Sequence, residues 1–343
     1  MMQKSVLDYP FETKPAAAEL KEVAPGVHWL RMPLPFALDH INLWLLEDGD
    51  SWTLVDCGLA TDETRALWRR IFEERLGGRP IGRVLVTHYH PDHVGLAGWL
   101  TEHWGVELWM PRTEWLTARA LSRSRDDEVE PWLSYYRRAG CEPAFLDEVG
   151  LRGAVYARRV SPVPDRYRRL ADGQELAIGG RSWRVVIGRG HAPEHALLLC
   201  QELGLLISGD QVLPKISPNV SVWPYEPEEN PLADFLATLE RLRELDPGLL
   251  VLPSHNVPFR GLHERLAELA QHHDERLDLL EAACAEPQTA LQLARVLFRR
   301  PLDSHQMGFA IGETIAHLRF LERRGLLVRD QDTDGVERYR RPA

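Results

Sequence analysis

The sequence predicts an α/β sandwich of packed layers followed by a small, mainly helical domain. Short apolar runs bounded by Gly, Asp and Pro recur along the first part of the chain and read as strands. Helical patterns lie between them, so the apolar strands need cover on both faces. After Phe259-Arg260-Gly261 the strand pattern stops and helices take over. With 343 residues the chain exceeds one small core, which gives two domains, residues 1–262 and 263–343.

In chain order, Gly26 to Leu30, Asn42 to Leu46, Trp52 to Val55 and Arg83 to Val86 are strands, with helices at Thr61 to Arg75 and Val94 to His103. Residues 112–150 form a helical insertion in which Trp115, Trp132, Tyr135 and Tyr136 sit among arginines and acids. Such an insertion is either a plain surface element or a lid whose aromatics line a substrate cleft. Strands resume at Trp183 to Ile187, Ala196 to Cys200, Leu203 to Ile207 and Leu249 to Leu252, with a helix at Pro231 to Leu245. The last part reads as helices Glu264 to Ala285, Thr289 to Arg299 and Gly312 to Arg324. Two short strands joined at Asp334-Gly335 follow. Three helices and a hairpin describe a winged helix.

Charge and composition narrow the function. The net charge of −10 opposes binding to nucleic acid unless a basic patch offsets it. Residues 263–343 hold 12 Arg against 14 Asp plus Glu, so the winged helix lacks that patch and is expected to pack or to mediate a homodimer. No stretch approaches ~20 apolar residues, so no helix can span a bilayer. The first thirty residues carry no apolar signal-peptide core. Cys57, Cys141, Cys200 and Cys284 show no C-x-x-C spacing, which suits reduced thiols in a cytoplasmic protein.

The stretch THYHPDHVG, residues 87–95, places three histidines and an aspartate directly behind a buried strand. In extended chain, side chains two apart point the same way, so His88 and His90 can grip one ion. Pro91 suits the first turn of a helix, which aims Asp92 and His93 differently, toward a second ion. Further ligands are sought downstream at strand ends. His191 follows Ile187-Gly188-Arg189-Gly190, Asp210 follows Leu206-Ile207-Ser208-Gly209, and His255 follows Leu250-Val251-Leu252-Pro253-Ser254.

The pattern H-x-H-x-D-H, then G-H, G-D and a late S-H-N, resembles the metallo-β-lactamase fold hydrolases over roughly residues 22–262. Ser254-His255-Asn256 departs from the commoner G-H-G. The resemblance implies a four-layer αββα sandwich. It implies that His88, His90 and His191 hold one metal ion, that Asp92, His93 and His255 hold the other, and that Asp210 bridges. Asp56 of LVDCG matches the family's first motif and, by the resemblance, orients ligands by hydrogen bond. His195 is placed with it behind the ligands, the alternative being a substrate-facing role. The last domain resembles the winged-helix appendage of the lactamase-beta-like branch, which includes a mitochondrial endoribonuclease.

Imidazole and carboxylate ligands without thiolate suit Zn²⁺ first and accept Fe or Mn. Two ions ~3.5–4 Å apart share a water and lower its pKa toward ~7, so a bridging hydroxide would attack a carbonyl or phosphorus. Asp92 or Asp210 would pass the proton to the leaving group. The bridging aspartate is usual in glyoxalase II, lactonases and ribonuclease Z and is usually missing from true β-lactamases. The expected activity is therefore dinuclear hydrolysis of a carboxylic ester, thioester or lactone in a small acyl substrate. The alternatives are a metal-dependent endoribonuclease or phosphodiesterase and, more remotely, a ligand-sensing DNA-binding protein or a persulfide dioxygenase. Lys215, one of only four lysines, Asn219, Trp223, Tyr135 and Tyr136 are candidate substrate contacts.

Overall fold

In a computed structural model that describes residues 7–342, the chain forms two compact units. The first gathers residues up to Ser124 with Val155–Pro218 and Arg243–Arg265. The second gathers Arg125–Ala154, Asn219–Leu242 and Leu266 onward. The helical insertion from Arg125 and the helix at 231–242 thus share a unit with the C-terminal helices.

The first unit opens with a hairpin series, β1 (Lys21–Ala24), β2 (Val27–Pro33), β3 (His40–Asp48) and β4 (Ser51–Val55), all antiparallel. Helix α1 (Asp62–Glu74) crosses over to β5 (Ile81–Leu85), which pairs parallel with β4. Thr61 caps α1 by accepting the Thr64 N–H at 3.1 Å. The Trp68 indole of α1 donates to the Cys57 carbonyl at 2.9 Å and fixes the loop after β4.

One helix is expected from Val94 to His103, and two are present: α2 (Pro91–Val94) and α3 (Ala97–Trp104). The break falls at Gly95, where a Cβ would lie 2.3 Å from the Pro91 carbonyl and 2.5 Å from that of Gly58. Only glycine allows that approach. β6 (Leu108–Met110) and α4 (Arg112–Leu121) follow. Helices α5 (Glu130–Arg138) and α6 (Pro143–Arg152) belong to the second unit, and α7 (Val155–Arg159) and β7 (Tyr167–Arg169) return to the first. The first sheet runs in simple order from β1 to β7.

The second sheet contains β8 (Glu175–Ile178), β9 (Arg181–Gly188), β10 (His195–Cys200) and β11 (Leu205–Gly209). After α8 (Pro231–Leu242) it is completed by β12 (Leu250–Pro253), parallel to β11. Trp29, Trp44, Leu46 and Val55 of the first sheet pack on Trp183, Val185, Leu198, Ile207 and Leu252 of the second. Burying each such side chain contributes about 1.5–3 kcal/mol. The other face of the first sheet packs Leu43, Leu54 and Val84 against Trp68, Ile71 and Leu100 of the helices. This is the layered α/β sandwich that the alternation of strands and helices predicts.

The sheets are also tied by polar bonds. Asn42 on β3 accepts the Trp29 indole N–H at 2.9 Å and donates to the Pro253 carbonyl at 2.8 Å. The end of β12 is thereby anchored to the first sheet.

The second unit holds most of α9 (Leu262–Ala283), β13 (Gln288–Thr289), α10 (Ala290–Leu297), α11 (Ser304–Arg323) and the hairpin β14 (Val328–Gln331) with β15 (Glu337–Arg340). Its sheet order is β13-β15-β14. Helix α11 starts eight residues before the expected Gly312, and its glycines are contact sites instead of breakers. A Cβ at Gly308 would meet the Tyr136 hydroxyl at 2.8 Å and one at Gly312 the Ser221 hydroxyl at 2.9 Å.

Candidate metal centre

The segment after β5 is bent, so the alternation of an extended strand does not orient its histidines. They converge even so: His88 Nε2 and His90 Nδ1 lie 2.9 Å apart. His191, in the loop after β9, brings its Nε2 to 3.2 Å from His88 Nε2. Ligand atoms of His88, His90, His191 and Asp210 all lie within 4.8 Å of one another, and so do those of Asp92, His93 and His255. Asp210, just beyond β11, reaches both groups. Its Oδ2 is 3.5 Å from His93 Nε2 and from His191 Nε2, and its Oδ1 is 3.3 Å from His255 Nε2.

Hydrogen bonds behind the cluster decide which nitrogens face inward. Asp56 follows β4 with φ +62, a left-handed conformation uncommon outside glycine, asparagine and aspartate. Its carboxylate accepts the Thr87 N–H at 2.8 Å, the Thr87 hydroxyl at 2.9 Å and the His93 Nδ1–H at 2.8 Å. With the Thr87 hydroxyl proton given to Asp56, its oxygen accepts from His88 Nδ1 at 2.9 Å. His255 Nδ1 donates to the His40 carbonyl at 2.8 Å. Each of these imidazoles therefore turns an Nε2 lone pair into the cluster, toward other lone pairs and two carboxylates.

Acceptors facing acceptors in a buried place are unstable without a cation, and neutral imidazole with carboxylate is a donor set for divalent metals. His90 Nε2, His93 Nε2 and Asp210 Oδ1 are buried without hydrogen-bond partners. The residues fit the group, and the cluster is a candidate site for divalent ions.

The electrostatics agree. Burial and the neighbouring imidazoles hold His88 well below the usual imidazole range and take His90 down to about 3. Burial lowers His93 and His255 too, but Asp92, Asp56 and Asp210 override it and lift His93 well above its ordinary value. Asp210 and Asp92 lift His255 to about 10. Burial raises the two carboxyls, yet the facing histidines bring Asp92 down to about 2 and Asp210 well below the carboxylate range. The carboxylates therefore draw positive charge to His93 and His255: protons on those imidazoles when no ion is bound, and divalent ions facing their Nε2 lone pairs when the protons are displaced.

His195 is fully buried at the start of β10, with its ring stacked 4.6 Å from that of His88. Its Nε2 accepts the Asp210 N–H at 3.0 Å. Gly209 makes this contact fit: its φ is +53, and a Cβ there would lie 2.3 Å from the His195 ring. Burial holds the His195 pKa well below its ordinary value, so the ring stays a neutral acceptor. These contacts turn its ring nitrogen to the Asp210 backbone.

Of the candidate substrate contacts, Lys215 belongs to the same unit as the cluster. Lys215 is exposed, with its ammonium 5.6 Å from the Tyr9 ring centre. Asn219, Trp223, Tyr135 and Tyr136 belong to the second unit. Tyr135 is 4% exposed and donates its hydroxyl to the Val222 carbonyl at 2.8 Å, while Asn219 accepts from the Ser221 hydroxyl at 2.7 Å. Trp223 packs among Trp132, Tyr225 and Phe309. Thr87 and His40 escape notice in the sequence. Thr87 has a signal in its place just before the histidines, whereas His40 acts on His255 through a carbonyl, which any residue would supply.

The family model of the metallo-beta-lactamase superfamily matches residues 37–255, and that of the metallo-beta-lactamase-like C-terminal domain matches residues 277–342. A beta-lactamase domain protein from Burkholderia ambifaria of known structure is 50% identical, with a TM-score of 0.91 and 98% of each chain covered. A metallo-beta-lactamase family protein from Thermus thermophilus is 33% identical with a TM-score of 0.79, covering 94% of this chain and 100% of its own. The probable metallo-hydrolase YqjP of Bacillus subtilis (strain 168) is 25% identical over 308 residues, which are 85% of this chain and 91% of that protein. Because the superfamily match runs from before Asp56 through His255 and takes in every residue of the cluster, the chain belongs to the metallo-beta-lactamase superfamily.

Proposed function

We propose that the chain is a dinuclear metal-dependent hydrolase that cleaves a carboxylic ester, thioester or lactone. Membership of the superfamily supports the metallo-hydrolase part. The observation that supports the dinuclear part is the Asp210 carboxylate, whose Oδ2 lies near His191 of the first group and His93 of the second, and whose Oδ1 lies near His255 of the second. The presence of that aspartate favours acyl esters and lactones over β-lactams, following the resemblance to glyoxalase II and lactonases.

When bound, divalent ions in this site supply a water acidified toward a pKa of ~7 and polarise the oxygen of the substrate; Zn²⁺ suits the donors best, with Fe or Mn also acceptable. His88, His90 and His191 would hold one ion, Asp92, His93 and His255 the other, with Asp210 between. Asp56 and Thr87 keep the imidazoles in the required tautomers. Asp92 is the better placed proton carrier, since its side chain is 20% exposed against 10% for Asp210. Among the described residues no helix is long and apolar enough to cross a membrane. The four unpaired cysteines support a reducing, cytoplasmic setting.

The test combines metal content with substrate choice. Protein purified without chelator should hold about two ions per chain and turn over thioesters or lactones. Preferential cleavage of RNA or phosphodiesters by the same sample would overturn the acyl reading in favour of the nuclease. Hydrolysis that survives His88→Ala with His90→Ala would end the metal-dependent reading.

A further inference from the structure

Glu114, on the first turn of α4, is fully buried, an unusual place for a carboxylate. Its Oε2 accepts the N–H of Tyr89 at 2.9 Å, and Tyr89 is the residue between His88 and His90. Its Oε1 accepts the N–H of Glu194 at 2.6 Å, and Glu194 lies in the short connection from His191 to His195. One side chain therefore grips the backbones of the two segments that carry the three histidines of the first group. The grip is returned: the Glu194 carboxylate accepts the Thr113 N–H at 2.7 Å, beside Glu114 itself. Tyr89 is held from its other side as well, since the Tyr156 hydroxyl donates to its carbonyl.

A neutral side chain would suffice to fill this space. A carboxylate is the only side-chain group that offers two acceptor oxygens on one rigid plane with no donor, and it makes stronger bonds to N–H groups than a neutral oxygen does. That suits a part whose task is to fix a distance between two backbones. The distance matters because the His88, His90 and His191 nitrogens lie 2.9 and 3.2 Å apart. The second group is fixed by other parts, Asp56 for His93 and the His40 carbonyl for His255.

We propose that Glu114 is a positioning residue that sets the spacing of His88 and His90 against His191, and so governs metal affinity at that one position of the pair. This rests on the dinuclear reading. The sequence holds a trace of it: Glu114, Ala118 and Leu121 recur at i, i+4 and i+7 on α4, so a charged residue occupies the inward stripe.

The experiment titrates metal-free protein with Co²⁺, following visible absorption and metal per chain, in wild type and in E114Q, E114A and Y156F. Glu114→Gln keeps the volume but turns an NH₂ toward one of the two N–H groups, and one ion should bind about 10–100-fold more weakly while the other is unchanged. Glu114→Ala should deepen the loss, and Tyr156→Phe should weaken the same ion to a smaller degree. Should Glu114→Ala fail to fold, the other two variants decide. Equal weakening of both ions, or no weakening in the Gln and Phe variants, overturns the proposal. Wild type that binds fewer than two ions overturns the dinuclear reading instead.

Discussion

Two clusters of buried histidines occur in this chain, one in each unit, and they are built on opposite principles. In the second unit, His317 Nδ1 donates to the Glu313 carbonyl at 2.7 Å, and its Nε2 accepts from His273 Nδ1 at 3.0 Å. The donors run one way along that line, which ends at His273 Nε2, buried without a hydrogen-bond partner in a ring packed nearly perpendicular to that of Phe235. In the first unit the outer nitrogens of His88, His93 and His255 are bound, and the inner lone pairs are left to converge. Histidines that hydrogen-bond each other in series make a structural network. Histidines whose partners all lie behind them make a site. The direction of the donors distinguishes the two, where burial and spacing do not.

The largest effect that would sharpen this contrast is expected from His88→Ala with His90→Ala. Removal of the ligands should lower kcat/KM by about 10³-fold or more, since a metal contributes several kcal/mol to the transition state. Metal content should fall, with circular dichroism unchanged. Next comes Asp56→Asn, which keeps the shape but weakens the hold on His93 and Thr87. Metal affinity should drop about 10–100-fold, read by chelator competition.

His317→Leu tests the other cluster. It leaves the Glu313 carbonyl and the His273 N–H without each other's intermediary, at about 1–3 kcal/mol, read as a lower urea midpoint with metal content unchanged. A loss of bound metal in that variant would break the comparison.

The smallest effect concerns pH. Burial, with the nearby Arg276 and His272, holds His273 near 2 and His317 near 3. Both are depressed from about 6.5, so the unfolded chain binds more protons than the folded one below that value. Their contribution is complete above pH ~6.5 and declines as pH falls below it. The urea midpoint should therefore drop between pH 7 and 5, less steeply in His317→Leu. An identical slope in both proteins would remove these histidines as the cause.

Much of the candidate site was legible because its candidate ligands are local signals. The H-x-H-x-D-H run and the three residues that each follow an apolar strand declare themselves by type and position, and the structure brings all seven together. The layered sandwich was legible from apolar runs such as Asn42 to Leu46, found within β3. Short edge strands were not: β7 is the three residues Tyr167–Arg169, two of them arginine, with no apolar pattern to mark it. The grouping of residues 125–154 with the C-terminal helices was also hidden, because long-range packing leaves no trace in local periodicity. Glu114 was overlooked because a lone acid on a helix ordinarily faces water.

The bond from Asn42 to Pro253 spans 211 positions of the chain. Closing so long a loop is slow compared with forming the hairpins of the first sheet. His255, two residues beyond that anchor, is therefore expected to join the other residues of the cluster late in folding. If the cluster takes up divalent ions, their binding would report the final docking of the two sheets, because a chain stalled before that step would keep its histidines apart.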